Sequence, residues 1–488
     1  MKIKTAQDYL KSLRKLNHKV YYKGKRIKDV TRHPATAPHV RAAAVTYSLA
    51  NDPEYKELAT AASHLTGKTV SRFTHVHRNA EDLIKKVKLL RVLGQKTGSC
   101  FQRCVGLDGI NAAYSVTYEI DQKCGTDYFE RFKKWLAYIQ EENLMVVGAM
   151  TDPKGDRSKG PAEQVDPDQY LRIVERRDDG LVIRGAKLHM TGGVNSHEIL
   201  IMPTTAMDEK SKDYAVVCAI PADAPGVTMI FGRQANDDRK DNRERIDSGN
   251  PVFGGVGGEA VIAFEDVFVP WERVFMNGET EFTNALVYRF AAHHRANYGG
   301  CKTGLIDVLT GAVTYLTQIQ GTAGASHVRD KVTEMIHLGE TLYSSSIACA
   351  AEGWPTPSGA YMVDTMLANV GKHNATRFHF EVARLAADLA GGFLATLPSE
   401  YDLNSEETGH LVKKYFSGVA GIPTEERIKI GRLIESMTGG TALVESMHGA
   451  GSPQAQRVMI FREGDLDKKV KLAKALAGIA PERSRKGA

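Results

Sequence analysis

The stretch YLRIVERRDDGLVIRGAKLHM, residues 170–190, decides how the whole chain is read. β-rich runs flank a polar turn at Asp179-Gly180, and the apolar residues recur with a period near two, as a hairpin requires. Downstream, YAVVCAIPAD (214–223), VTMIFGR (227–233) and EAVIAFEDVFVP (259–270) continue as short strands bounded by Pro and Gly. On either side the period is helical. AEDLIKKVKLLRVLGQ (80–95) and DYFERFKKWLAYIQEENL (127–144) precede the strands, and long amphipathic stretches follow, among them ALVYRFAAHHRANYGGCKTGLIDVLTGAVTYLTQIQ (285–320), HVRDKVTEMIHLGETLYSSSIACAAEG (327–353), ATRFHFEVARLAADLAGG (375–392) and EERIKIGRLIESM (425–437). The order is helical, β, helical, an α+β architecture with an N-terminal helical domain at 1–147, a middle β domain at 148–278 and a C-terminal helical domain at 279–488. The tail PERSRKGA reads as disordered.

With 488 residues, 42% of them hydrophobic, the chain can bury a large core. Its +6 charge is the small excess of 64 basic over 58 acidic residues. The densest basic run, KKVKLLR (85–91), carries no interleaved aromatics and reads as the solvated face of a helix, so no nucleic-acid partner is expected. The opening MKIKTAQDYLKSLRKLN has no apolar core of a signal peptide, and no run of roughly 18 apolar residues occurs that could span a bilayer. A cytoplasmic protein with no membrane partner is the expectation.

Six cysteines, Cys100, Cys104, Cys124, Cys218, Cys301 and Cys349, are too few and scattered for a disulfide framework. Cys124, Cys218 and Cys349 read as small buried hydrophobes. GSCFQRCVG (98–106) sets Cys100 and Cys104 four apart, which on a helix gives one face with about 6 Å between Cβ atoms. RFAAHHRANYGGCK (289–302) sets His294 and Cys301 two helical turns apart, roughly 10 Å along the axis. Three thiolates and an imidazole suit zinc or an iron–sulfur cluster, although the spacing is not that of CxxC zinc knuckles and isolated Cys pairs are often core residues. Gly299-Gly300, which weakens a helix by roughly 1 kcal/mol per residue, is expected to let a bulky inorganic group approach the backbone.

AMTDPKGDR (149–157), with Thr151, Asp152 and Lys154, and HMTGGVNSHE (189–198), with His189 and Thr191, could offer donors to a flavin or its phosphates; as plain surface loops they need do nothing. ESMHGAGSPQAQR (445–457) breaks helical character and suits a pocket lined by Glu445, or simply a helix end. Gly391 and Gly392, in LAADLAGGFLATLPS, either face a neighbouring subunit's cofactor or ease a helix crossing.

From YLKSLRKLN (9–17) through GQKTGSCFQRCVGLD, YEIDQKCGT, GAMTDPKGDR, RGAKLHMTGG, HHRANYGGCK and CAAEGWPT to ESMHGAGSPQAQR, the sequence resembles the 4-hydroxybutyryl-CoA dehydratases, flavin and iron–sulfur enzymes that also carry vinylacetyl-CoA Δ-isomerase activity. The resemblance implies an acyl-CoA dehydrogenase-like fold shared with the flavin-dependent 4-hydroxyphenylacetate monooxygenases. It further implies FAD, a [4Fe-4S] cluster on Cys100, Cys104, His294 and Cys301, and a homotetramer. The implied ligands are 4-hydroxybutyryl-CoA, crotonyl-CoA and vinylacetyl-CoA. The reaction it implies is a radical dehydration, because the hydrogen lost from C3 is unactivated until an enolate made at C2 gives one electron to the flavin. In it His294 removes a proton, Tyr298 and Glu445 handle the hydroxyl or its proton, Lys302 and Glu259 tune the site, and Thr191 lies near the flavin N5. A flavin monooxygenase or acyl-CoA dehydrogenase of the same fold is the rival reading, and it leaves the three-cysteine, one-histidine set without a use. A dead CoA-binding scaffold would show substituted ligands.

Overall fold

The computed structural model describes residues 3–234, 238 and 245–479; the expected disordered tail lies outside them. The N-terminal part contains α1 (Ala6–Arg14), β1 (Val20–Tyr22), β2 (Lys25–Ile27), α2 (Ala37–Asn51), α3 (Lys56–Ala59), β3 (Thr60–Ala62), β4 (Thr69–Ser71), α4 (Ala80–Thr97), α5 (Cys104–Cys124) and α6 (Tyr128–Glu141). It ends in β5 (Val146–Ala149), so the boundary expected at 147/148 falls inside a strand. The middle part holds β6 (Arg172–Arg177), β7 (Gly180–Thr191), β8 (Glu198–Ile201), β9 (Val216–Pro221), β10 (Val227–Phe231), β11 (Glu259–Pro270) and β12 (Val274–Asn277). The hairpin that decided the reading is present, with Asp178-Asp179 as its loop and Gly180 already paired to Arg177. Glycine is needed at 180 because a Cβ there would lie 2.2 Å from the Val269 carbonyl oxygen of β11.

The two larger sheets are a six-stranded one in the order β2-β1-β10-β11-β7-β6 and a four-stranded one in the order β12-β9-β8-β5, while β3 pairs with β4 alone and Trp354–Pro355 with Tyr361–Met362. The β region therefore recruits β1 and β2 from the segment read as helical, through parallel pairing of Val20 and Tyr21 with Met229 and Ile230. Leu181, Ile183, Ile262 and Phe264 from one sheet and Val147, Ile199, Ile201 and Cys218 from the other share a single buried core with Tyr9 and Tyr47 of α1 and α2. The opposite face of the small sheet packs Leu200, Val217 and Phe275 against Phe132, Trp135 and Ile139 of α6.

The C-terminal part is a helical assembly: α7 (Thr283–Ala296), α8 (Tyr298–Ile319), α9 (Ser326–Ala351), α10 (Thr365–Ala390), α11 (Glu400–Asn404), α12 (Gly409–Tyr415), α13 (Thr424–Met437), α14 (Thr441–His448), α15 (Pro453–Glu463) and α16 (Leu466–Leu476). Among the described residues no helix is long and apolar enough to cross a membrane. Cys218 and Cys349 are buried as expected, but Cys124 is exposed, because it ends α5 where Gly125 turns the chain in a left-handed cap.

Gly299 and Gly300 serve helix packing instead of clearing space for an inorganic group. A Cβ on Gly299 would sit 2.2 Å from Ser346 Oγ of α9, and one on Gly300 would sit 2.6 Å from the Val87 carbonyl oxygen of α4. Gly304 meets the same neighbour, with the Arg91 carbonyl oxygen 2.3 Å away. The glycines thus bring α8 to close range of α4 and α9, which holds its first turn in place. Gly300→Ala is expected to lower the melting temperature. It gains about 1 kcal/mol of helix propensity, but overpacking against a backbone atom costs up to about 3 kcal/mol. A rise in melting temperature would remove packing as the reason for this glycine.

Candidate functional site

The sulfur ligands expected on one helical face are placed differently. Gly98, at φ 55°, caps α4, and Gln102 adopts φ 62°, so Cys100 lies in the loop between α4 and α5 while Cys104 is the first residue of α5. The loop is stitched to the glycine-rich 254–258 segment: Ser99 Oγ donates to the Gly255 carbonyl (2.8 Å) and Gln102 Nε2 to that of Gly257 (2.7 Å). His294 and Cys301 are likewise on two helices, α7 and α8, separated at Asn297, which keeps helical dihedrals (φ −70°, ψ −26°).

These pieces nevertheless act on one another electrostatically, and the His294 ring lies 6.0 Å from that of Tyr298. Burial raises the thiol pKa of all three cysteines, that of Cys301 to about 12, and Cys100 and Cys301 both act on Cys104. Glu445 and Lys302 act on Cys100 and Cys301. A thiolate without a counter-charge is thus costly here, which is the setting in which a bound cation is stabilising. His294 Nδ1 is 2.8 Å from Asp108 Oδ2, a carboxylate that also accepts from Asn297 Nδ2 (2.6 Å) and faces Lys86 (3.4 Å). Asp108 is fully buried; burial pushes its pKa up, but Lys86 and His294 outweigh this and hold it below the usual range. A histidine whose Nδ1–H is held by a carboxylate presents Nε2 as a ligand or base, the arrangement found behind metal-bound imidazoles. Asp108 was not singled out in the sequence, although it stands one helical turn after Cys104. Among the described residues no three His, Cys, Asp or Glu side chains close on a point that could hold a single metal ion.

Beside this group, Tyr298 donates its O–H to Glu445 Oε1 (2.9 Å), and Lys302 Nζ contacts Glu445 Oε2. Burial alone would neutralise both members of the Lys302–Glu445 pair, but their mutual attraction wins, raising the lysine and lowering the carboxyl pKa. Burial pushes the Tyr298 phenol well above its ordinary value, with the Glu445 charge adding to it. Glu259 begins β11 opposite Thr191 at the end of β7, and Thr191 Oγ1 lies 3.4 Å from Glu259 Oε1. Burial, with Glu445 nearby, raises Glu259 to about 7.

The expected flavin contacts divide. His189 is exposed at φ 59°, in the field of Lys154, Arg157 and His448. Thr151 is half-buried and its carbonyl accepts from Leu188 N (2.7 Å). Asp152 turns inward: it is 2.8 Å from Lys187 Nζ and accepts from Leu171 N (3.0 Å), a buried pair that fastens the 150s loop to β7. Gly391 and Gly392 are exposed beyond the end of α10, with open space around both. Lys372, in the interior of α10, was missed by sequence reading; its Nζ lies 4.4 Å from the Tyr298 ring centroid.

Residues 5–276 match the family model described as 4-hydroxyphenylacetate 3-hydroxylase N terminal, and residues 283–478 the corresponding C-terminal model. The chain is 53% identical to the 4-hydroxybutyryl-CoA dehydratase/vinylacetyl-CoA-Delta-isomerase of Clostridium aminobutyricum, over 97% of this chain and 99% of that protein. It superposes on an oxygen-tolerant archaeal 4-hydroxybutyryl-CoA dehydratase from N. maritimus with a TM-score of 0.96 at 50% identity, over 100% of this chain and 98% of that one. The oxygenase component of 4-hydroxyphenylacetate 3-monooxygenase complexed with FAD shares the fold at a TM-score of 0.83 and 22% identity, over 97% and 98% of the two chains. A glutaryl-coenzyme A dehydrogenase shares it more distantly, at a TM-score of 0.52 and 12% identity over 100% and 99%. The expected acyl-CoA dehydrogenase-like architecture thus has support at the level of fold. By its two matching halves and its full-length likeness at half identity, the chain belongs to the 4-hydroxyphenylacetate 3-hydroxylase family, within the group of enzymes formed by the 4-hydroxybutyryl-CoA dehydratases.

Proposed function

We propose that this enzyme dehydrates 4-hydroxybutyryl-CoA to crotonyl-CoA by a radical route and isomerises vinylacetyl-CoA to crotonyl-CoA, using FAD and a [4Fe-4S] cluster. The observation that carries this reading is the gathering of the buried Cys104, the half-buried Cys100 and Cys301 and an Asp108-held imidazole, its ring 6.0 Å from that of Tyr298, around the Tyr298–Glu445–Lys302 group. Cys100, Cys104, Cys301 and His294 Nε2 would hold the cluster. A cubane takes one protein ligand at each iron, so its ligands need not close on one point. Thr191, His189, Lys154 and Thr151 would line the flavin site, with Gly391 and Gly392 offered to a neighbouring subunit of a homotetramer. Asp152, paired with the buried Lys187, would hold the 150s loop beside that site. When bound, the two groups supply one-electron chemistry and a Lewis-acidic iron.

The chain's own residues then have distinct tasks. His294 Nε2, the nitrogen that Asp108 leaves available, would serve in turn as ligand and, once free, as the base that takes the C2 proton. Tyr298 stays a neutral phenol whose single O–H rests on Glu445, and the pair would hand that proton to the departing hydroxyl. Lys302 keeps Glu445 ionised. Glu259 holds its proton up to about pH 7 and is placed to donate beside Thr191. A cytoplasmic setting and a three-part organisation close to 1–147, 148–278 and 279–488 complete the proposal.

Iron, sulfide and FAD are measured on anaerobically purified protein, beside turnover of 4-hydroxybutyryl-CoA. About four irons per chain with crotonyl-CoA formed supports the reading. A yellow, iron-free protein that hydroxylates a phenol with oxygen would move it to the monooxygenases.

Glu259 also gives a pH prediction. Its folded pKa of about 7 exceeds the ordinary 4.5, so the folded state binds the extra proton between these values and stability falls as pH rises toward 7. Glu259→Gln is expected to flatten this part of the melting-temperature profile and to raise the melting temperature at pH 8. An unchanged slope between pH 5 and 7 would put the titration elsewhere.

A further inference from the structure

The segment 445–451 brings Glu445 to the hydroxyl end of Tyr298, yet little apolar burial holds it there. α14 is eight residues long and buries only Ala442 and Ser446. Gly449 lies so close to the phenol that a Cβ on it would be 2.1 Å from Tyr298 Oη, and Ala450 adopts φ 58°. What fastens the strap is a set of side chains reaching its backbone carbonyls. Lys372 Nζ donates to the Ser446 carbonyl (2.8 Å) and the Met447 carbonyl (3.2 Å). Arg295 Nε donates to the Ala450 carbonyl (3.0 Å) while its Nη1 is held by Asn369 Oδ1 (2.7 Å). Gln456 Nε2 donates to the Gly451 carbonyl (3.1 Å). The last carbonyls of a helix have no partner within it, so cationic donors there are both satisfying and favoured by the helix dipole.

Of these, Lys372 is the one that also touches the site, beneath the Tyr298 ring. It is fully buried, and its hydrogen bonds run to the strap backbone. Placing an ammonium in the interior is expensive, so a methionine or leucine would serve plain packing better. Burial lowers Lys372 to about 7 against the pull of Glu445, but amine and ammonium alike donate to both carbonyls.

We propose that Lys372 is a positioning residue of this site: by fastening the end of α14 to α10 it holds the 445–451 strap on Tyr298 and fixes the Glu445 carboxylate between Tyr298 and Lys302. The inference rests on the function proposed above for its kinetic arm, but the fastening itself is tested without turnover.

The holoenzyme is compared as wild type, Lys372→Met and Lys372→Arg, by amide hydrogen exchange of the 441–452 peptides, cofactor content and steady-state kinetics. For Lys372→Met the expected result is faster exchange confined to these peptides, iron and FAD as in wild type, and a kcat for dehydration reduced about a hundredfold, the cost of roughly 1 Å of misplacement. KM is expected within about threefold. Lys372→Arg, which can bridge the same two carbonyls, is expected to recover the protection and at least about a tenth of kcat. Asn369→Leu, which frees Arg295 and keeps Lys372, should speed exchange at 449–452 only, and if Lys372→Met does not accumulate, Lys372→Gln, whose shorter amide cannot span both carbonyls, carries the test with the same outcomes. Unchanged exchange in Lys372→Met, or wild-type kcat with faster exchange, overturns the inference. A wild type that does not dehydrate 4-hydroxybutyryl-CoA sinks the proposed function alone, and the exchange result still decides whether Lys372 is the fastener.

Discussion

Replacing His294 by glutamine is expected to lower dehydration of 4-hydroxybutyryl-CoA at least about a hundredfold, and up to about 10⁴-fold, while FAD stays bound. Glutamine offers no ring nitrogen with a basic lone pair, and its amide does not reproduce the 2.8 Å contact that His294 Nδ1 makes with Asp108. Asp108 keeps Asn297 and Lys86, so the buried carboxylate is not stranded and the fold should persist. The flavin residues proposed here lie on β7 and the 150s loop, outside this network, which is why flavin retention separates a chemical loss from a collapse. Asp108→Asn is the companion variant. It leaves the imidazole in place but replaces the carboxylate by an amide that can also donate to it, so the tautomer is no longer fixed and iron affinity should fall about 10- to 100-fold, with a smaller loss of rate than His294→Gln. The measurements are turnover, iron per chain and the flavin absorbance of each variant. A His294→Gln enzyme within a few fold of wild-type dehydration would remove His294 from the mechanism.

How far the sequence reaches can be judged from particular residues. The 170–190 hairpin was legible because its alternation is local, and so were the long helices. β1 and β2 were not, because three-residue strands carry no period; β1 takes its place by pairing with β10, some 200 residues on, and β2 by pairing with β1. Cys100 was assigned to a helix from its spacing to Cys104, and nothing in a spacing reports the left-handed turns at Gly98 and Gln102 that lift it off. Gly299-Gly300 was correctly seen as anomalous, but what a missing Cβ makes room for depends on the neighbour, here α4 and α9. Asp152 was read as a ligand contact since its buried partner, Lys187, stands 35 residues away in another element. Asp108 and Lys372 went unread for the same reason: each acts on a group supplied by a different helix, and only the folded chain brings them together.

The Glu445–Lys302 pair gives the second large effect, because it couples stability to chemistry at one carboxylate. Lys302 is 3% exposed, and Glu445 is the anion at its ammonium. Glu445→Gln keeps an oxygen for the Tyr298 O–H but strips the charge, leaving a buried ammonium without its counter-ion. Breaking one side of such a pair costs about 3–5 kcal/mol, so a clear fall in melting temperature is expected. Dehydration is expected to drop about 10²- to 10⁴-fold, since the phenol is no longer aimed by a carboxylate. The double variant Lys302→Met/Glu445→Gln separates the two losses. With the stranded charge removed as well, stability should recover most of the way, because a neutral replacement of a buried pair is often no less stable than the pair itself. Activity should stay as low as in Glu445→Gln, since the carboxylate is still missing. The coupling read from the four proteins is then large for melting, and for rate it equals the loss caused by Lys302→Met alone with its sign reversed. If Glu445→Gln melts like wild type, the ammonium has found another partner and the electrostatic account of this corner fails. If the double variant regains activity, Glu445 serves only to neutralise Lys302, and the hydroxyl must be handled by Tyr298 alone.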